Sequence, residues 1–113
     1  MLSEVKYLTE TEKAALVEIK RRVSAIFPVK QYILFGSKAR GDAAPDSDVD
    51  LLIITARPLS YGESHKIVHE VFEVNLAFGT NFSFVDVDTE TWNSELWKYV
   101  PLHIHVSAEG ISL

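Results

Sequence analysis

The chain has no cysteine. That excludes disulfides and cysteine-ligated zinc, and it fits a reducing, cytoplasmic location. Long hydrophobic runs are missing too. No stretch approaches the roughly 20 apolar residues that span a bilayer, so no membrane association is expected. Met1-Leu2-Ser3-Glu4-Val5-Lys6 lacks a charged segment followed by an apolar one, so no signal peptide is expected. Positive charge is scarce overall, with a net charge of −5. Phosphate neutralisation dominates binding to long nucleic acids, and such a partner is not expected for an acidic chain this small. A single nucleoside triphosphate with its metal stays compatible.

The charge is unevenly spread. Residues 1–40 hold eight Lys or Arg against four acids, and residues 41–113 hold three against twelve. The basic half reads as a solvated helix face. Apolar content of 47% and charged content of 24% are those of an ordinary globular protein. A length of 113 residues fits one domain, 1–113, which buries about 65% of its unfolded surface. There is no internal repeat, low-complexity segment or linker.

Thr9 to Phe27 reads as a helix. Thr9 and Glu12 form a T-x-x-E capping box, Leu16, Ile19, Val23 and Ile26 form the buried stripe, and Pro28 ends it. Val29 to Phe35 reads as a strand leading into Gly36-Ser37, with one helical turn to about Gly41. Residues 42–47 are a loop by composition. Val49 to Thr55 is a second strand whose unbroken Leu-Leu-Ile-Ile predicts burial on both faces. Ser60 to Phe78 is a helix with Gly79 beyond its end, and Asn81 to Val87 is a third strand. Thr89 to Trp92 starts another helix. Pro101 to Glu109 alternates like a strand at Leu102, Ile104 and Val106, but Pro101 at its start and Gly110 at its end favour helix. Trp92, Trp97 and Tyr99 are expected in the core. This order implies an α/β or α+β domain, a small mixed sheet backed by helices.

The chemistry concentrates between residues 36 and 51. Asp48 and Asp50 are two residues apart at a strand start, so they share a face about 6.5–7 Å apart along the chain. Two such carboxylates repel unless a cation lies between them, and a hard divalent ion with oxygen ligands suits them. The Gly36-Ser37 turn lies beside them with backbone amides able to bind phosphate. Phosphate cradle plus metal carboxylates points to nucleotide chemistry. Gly36 and Gly41 do not make a Walker A loop, because Asp42 stands where its lysine belongs.

The run Leu34-Phe35-Gly36-Ser37-Lys38-Ala39-Arg40-Gly41 … Ser47-Asp48-Val49-Asp50-Leu51 resembles the signature of the DNA polymerase beta-like nucleotidyltransferases. It is most similar to their minimal, single-domain members, often encoded beside a helical HEPN partner. The motif covers about 18 residues, while element order and length agree over nearly the whole chain, including Glu109-Gly110-Ile111. The resemblance implies the polymerase beta-like fold and Mg²⁺-dependent transfer of a nucleoside monophosphate, AMP from ATP, to an acceptor hydroxyl. That acceptor would lie on a HEPN toxin neutralised by this chain as antitoxin. Two Mg²⁺ ions held by Asp48 and Asp50 would stabilise both ends of the displacement. Gly36, Ser37, Lys38 and Arg40 would contact phosphates, with a surface ion pair to Asp42 or Asp46 as the other reading of Arg40.

The resemblance also implies a third acid on the next strand. Asp86 is the expected residue, yet Asp86 and Asp88 share a face with Phe82 and Phe84, whereas family strands carry the acid on the face of Asn81, Ser83 and Val85. Either Asp86 serves or the third acid is absent, in which case the chain is a catalytically weak nucleotide-binding or partner-neutralising module. Little of the chain is left to select an acceptor, so a partner or a homo-oligomer is expected. His65 and His69 stand at i, i+4, but without a third ligand they read as surface or half-buried histidines, as do His103 and His105.

Overall fold

In a computed structural model, which describes residues 5–113, Thr9 caps α1 (Glu10–Ile26). Its Oγ1 accepts from the Glu12 N–H at 3.0 Å, and Glu12 Oε1 accepts from the Thr9 N–H at 2.9 Å. Leu16, Ile19 and Val23 are buried as the spacing requires. Ile26 is exposed instead, because the backbone turns extended at Phe27, which takes the buried place. Met1 to Glu4, which carry most of the segment read for a leader, lie outside the described residues.

β1 (Val29–Phe35) runs into α2 (Ser37–Arg40), a single turn, and a loop leads to β2 (Val49–Thr55). α3 (Tyr61–Phe78) follows, capped by Ser60 and closed by Gly79 in the left-handed region. β3 (Phe82–Asp88), α4 (Thr89–Trp92), a 3-10 turn (Leu96–Tyr99), α5 (Pro101–Glu109) and β4 (Ile111–Ser112) complete the chain. The last strand was not expected from sequence. Its two residues pair antiparallel with Ile33 and Leu34.

The strand order is β3-β2-β1-β4. β1 and β2 are antiparallel, and β2 and β3 are parallel. A parallel pair needs a long crossover, and α3 provides it. Helices cover both faces. Tyr32, Leu34, Val49, Leu51, Ile53 and Phe82 pack in the cluster that includes α1 and α3, while Ile33, Leu52, Ile54 and Val87 pack with Trp92 of α4 and Val106 of α5. Leu51, Leu52, Ile53 and Ile54 are all buried, as their unbroken run predicts. Tyr99 is exposed rather than core, and Trp97 is half-buried against the second cluster. No helix among the described residues is long and apolar enough to cross a membrane.

The junction between α3 and β3 is locked by one side chain. Asn75 Nδ2 donates to the Phe82 carbonyl at 3.0 Å, and Asn75 Oδ1 accepts from the Phe82 N–H at 2.9 Å and the Thr80 hydroxyl at 3.0 Å. These bonds fix where β3 begins, and so which β3 residue faces which β2 residue. Leu51 is wholly buried at the sheet centre. Leu51→Ala should lower unfolding free energy by about 2–5 kcal/mol through lost burial and a residual cavity, read from urea denaturation, whereas Val17→Ala on the exposed face of α1 should change it by less than about 0.5 kcal/mol.

Candidate active site

Gly36 is where β1 stops and α2 begins. Its backbone sits at φ 78°, ψ −160°, a region that is essentially glycine-only. A side chain there would also collide with Asp50, since a Cβ on Gly36 would overlap Oδ2 of that carboxylate. The glycine thus serves a backbone conformation and a close approach of chain to carboxylate together. Among the described residues, nothing accepts a hydrogen bond from the Ser37 hydroxyl or amide, while the Ser37 carbonyl accepts from Gly41 and Asp42.

β2 alternation places Asp48 and Asp50 on the face that holds Leu52 and Ile54 further along. Asp48 is exposed and Asp50 half-buried. Each carboxylate has one oxygen held from β3. Asn81 Nδ2 donates to Asp48 Oδ1, and the Ser83 hydroxyl donates to Asp50 Oδ1 at 2.9 Å. The parallel register sets Asp50 opposite Ser83, and the Asn81 carbonyl accepts from the Val49 N–H at 2.9 Å. A cleft of about 430 Å³ opens beside Asp48, lined by Thr9, Thr11, Asp46, Ser47, Thr80 and Asn81 among others.

The same register corrects the expectation for Asp86. It faces Ile53 across the ladder, on the α3 side of the sheet, and its Oδ2 accepts from the Ser64 hydroxyl at 2.8 Å. A strand cannot turn a side chain through the sheet without a bulge, and the register of β2 with β3 runs unbroken from Val49–Phe82 to Thr55–Asp88. Asp88 is spent on capping α4, accepting from the Thr91 N–H at 3.0 Å, and Thr91, through its side chain first and then its backbone, lowers the Asp88 pKa. The face that resemblance assigns to the third acid carries Asn81, Ser83 and Val85.

Two of the expected phosphate contacts are turned elsewhere. Lys38 is buried and its ammonium lies 3.2 Å from Glu12 Oε2, so the carboxylate that caps α1 also holds α2. Arg40 donates to Asp42 Oδ2 at 3.1 Å and to both oxygens of Glu109 at 2.9 and 3.1 Å. These bonds, Glu109 first, raise the Arg40 pKa, and Arg40 in turn lowers that of Glu109. The Asp42 pair was legible in the sequence, but Glu109 was not. His65 is exposed beside Tyr61, His69 pairs with Glu73 at 2.6 Å, and His103 stacks on Trp92 at 4.3 Å between ring centroids.

The donor set at Asp48 and Asp50 suits a small hard cation. No Lys or Arg among the described residues forms an ion pair with either carboxylate, and each keeps an oxygen with no protein donor. No group of three or more His, Cys, Asp or Glu among the described residues is placed to hold a metal. Two carboxylates with water and phosphate oxygens as the remaining ligands is a common Mg²⁺ arrangement, whereas a cage of protein ligands alone is not available here.

Residues 16–102 match the nucleotidyltransferase domain family. The chain is similar to two Methanocaldococcus jannaschii proteins provisionally named protein adenylyltransferases. With MJ0604 it shares 30% identity over 83 residues, covering 73% of this chain and 75% of the relative. With MJ0141 it shares 43% over 53 residues, covering 45% and 54%. Its fold resembles a chain of a toxin–antitoxin complex crystallised with AMP-PNP, at TM-score 0.58 and 17% identity over 92% of this chain and 72% of that one. It also resembles a chain of a Shewanella oneidensis complex of tri-AMPylated HEPN toxin with MNT antitoxin, at TM-score 0.53 and 17% identity over 88% and 66%.

Gly36→Ala should cost about 1–3 kcal/mol from backbone conformation alone, plus displacement of Asp50. Denaturant unfolding should show that loss. Gly79→Ala, where an added Cβ meets nothing, should cost less.

Proposed function

The chain belongs to the nucleotidyltransferase domain family, and from that premise we propose that it transfers AMP from Mg²⁺–ATP to a hydroxyl on a partner protein, the hydroxyl oxygen bonding to the α-phosphorus as the bond to the departing pyrophosphate breaks. The observation that carries this reading is the Asp48–Asp50 pair, unneutralised by any cationic side chain among the described residues and packed against the Gly36-Ser37 turn. The names of the two relatives as protein adenylyltransferases support the reaction. The AMPylated HEPN toxin in the structural neighbour supports a HEPN protein as acceptor, with this chain as antitoxin.

In this proposal Asp48 and Asp50 hold the metal through the oxygens left free by Asn81 and Ser83. Asn81 and Ser83 fix the carboxylate planes, and Asp50 Oδ2 lies beside Gly36. The Ser37 hydroxyl and amide donate to phosphate oxygens, and Gly36 lets backbone and phosphate approach closely. A divalent ion held by Asp48 and Asp50 would supply charge stabilisation on the phosphoryl oxygens. The cleft beside Ser47 and Asn81 carries hydroxyls, an amide and the carboxylates of Glu12 and Asp46, with no aromatic ring to stack on a base, and so suits a polar segment of the acceptor. Among the described residues, no third carboxylate joins Asp48 and Asp50 to take the proton of the attacking hydroxyl. That proton passes to solvent or to a group the partner brings.

A second reading has its own support. With Ser83 opposite Asp50, the chain is a nucleotide-binding module that neutralises its partner with little or no transfer. The two separate in one experiment. The protein is incubated with Mg²⁺, labelled ATP and the protein encoded beside it. Label should move to the partner, and Asp48→Asn or Asp50→Asn should lower transfer by about 100-fold or more. Calorimetric Mg²⁺–ATP binding without label transfer would favour the module, and transfer unchanged in Asp48→Asn would contradict the assignment of these carboxylates.

A further inference from the structure

Glu109 reaches the glycine of the motif from 73 residues away. It is the last residue of α5, and its carboxylate meets both ends of α2. Its Oε1 accepts from the Gly36 N–H at 3.2 Å, and both oxygens accept from Arg40 Nη1. The side chain is only 17% exposed. The chain on either side of it is fixed. Gly110 N–H closes α5 by donating to the Val106 carbonyl at 2.7 Å, and β4 then pairs with Ile33 and Leu34, two residues short of Gly36. A Cβ on Gly110 would meet the Val106 carbonyl oxygen at 2.6 Å and Ile33 Cγ2 at 2.8 Å, so the close packing of this junction requires glycine.

We propose that Glu109 is a positioning residue for the site, holding the Gly36-Ser37 turn in its uncommon conformation through the Gly36 amide and through Arg40. The turn conformation is costly on its own and persists only where surrounding contacts over-determine it. Glu109 is the group that makes those contacts from the far side, with Asp50 pressed against the near side. Arg40 acts through Glu109 and Asp42, whose three acceptor oxygens engage its Nε and Nη1. Its part is to brace the turn, not to bind phosphate. The two-residue strand β4 is what brings Glu109 into reach, so the C-terminal segment belongs to the site although it lies beyond the motif. The link from this brace to nucleotide affinity rests on the nucleotide-binding reading of the turn.

The test uses the full-length chain with ¹⁵N label and three variants, Glu109→Ala, Glu109→Gln and Arg40→Gln. Amide hydrogen exchange of Gly36 is measured without nucleotide, and Mg²⁺–ATP affinity by calorimetry. Glu109→Ala should speed Gly36 exchange and weaken Mg²⁺–ATP binding, each by about tenfold. Glu109→Gln keeps an acceptor for the Gly36 amide, so it should retain most of the protection while losing part of the affinity. Arg40→Gln should match Glu109→Gln in affinity and add little to it in the double variant. Unchanged Gly36 exchange in Glu109→Ala overturns the brace. Unchanged or tighter Mg²⁺–ATP binding overturns the positioning role, tighter binding meaning that the carboxylate competes with phosphate for the turn. A wild-type chain that binds no Mg²⁺–ATP overturns the nucleotide reading itself, and Gly36 exchange then upholds or overturns the brace on its own.

Discussion

Two carboxylates on one face of one strand, with no cationic side chain paired to them among the described residues, is the arrangement around which the rest of the site is organised. Asp48 and Asp50 repel, and the repulsion grows as the surroundings become less polar than water. The surrounding chain tolerates them by donating polar hydrogens from β3 and by leaving one oxygen on each carboxylate for a cation. Gly36 follows from this, because only a residue without a side chain can pass Asp50 so closely. The parallel β2–β3 pairing follows as well, since a one-residue slip would replace Asn81 and Ser83 with Phe82 and Phe84 beside the acids. Asn75 guards against that slip from the end of α3.

Much of the scaffold was legible in the sequence because its signals are local. The T-x-x-E box at Thr9, the apolar stripe of Leu16, Ile19 and Val23, the proline after Phe27 and the glycine after Phe78 each act within a turn or two of chain. The first two strands follow from the apolar runs Tyr32 to Phe35 and Leu51 to Ile54. Period-2 alternation also showed that Asp86 sits with Phe82 and Phe84, but which face of β3 meets Asp48 and Asp50 is set by the register with β2. What sequence could not show is which distant groups meet. Lys38 looks like a phosphate ligand until Glu12, 26 residues earlier in the chain, is seen to hold it. For Arg40, expected at the phosphates, the other reading of an ion pair with Asp42 is the one seen, and Glu109 comes from the other end of the chain. β4 has two residues, too few to carry a periodicity.

The site that results is economical in acids. Ser83 holds the place opposite Asp50, so a metal bound here relies on water and on the phosphates of its own nucleotide for most of its ligands. Affinity for metal and for nucleotide should then be mutually dependent, each weak without the other. The membership of the chain in the nucleotidyltransferase domain family agrees with a site built from such local groups.

The central claim is that Asp48 and Asp50, and not Asp86 or the histidines, form the cation site. Paramagnetic broadening by Mn²⁺ in the presence of ATP, followed in amide NMR spectra of the ¹⁵N-labelled chain, addresses it directly. At substoichiometric Mn²⁺ the account predicts selective loss of the signals of Gly36, Ser37 and residues 48–51, together with Ser83 across the ladder, while Ser64, His65 and His69 keep theirs. Loss centred on Ser64 and Asp86, or on His65 and His69, would contradict it.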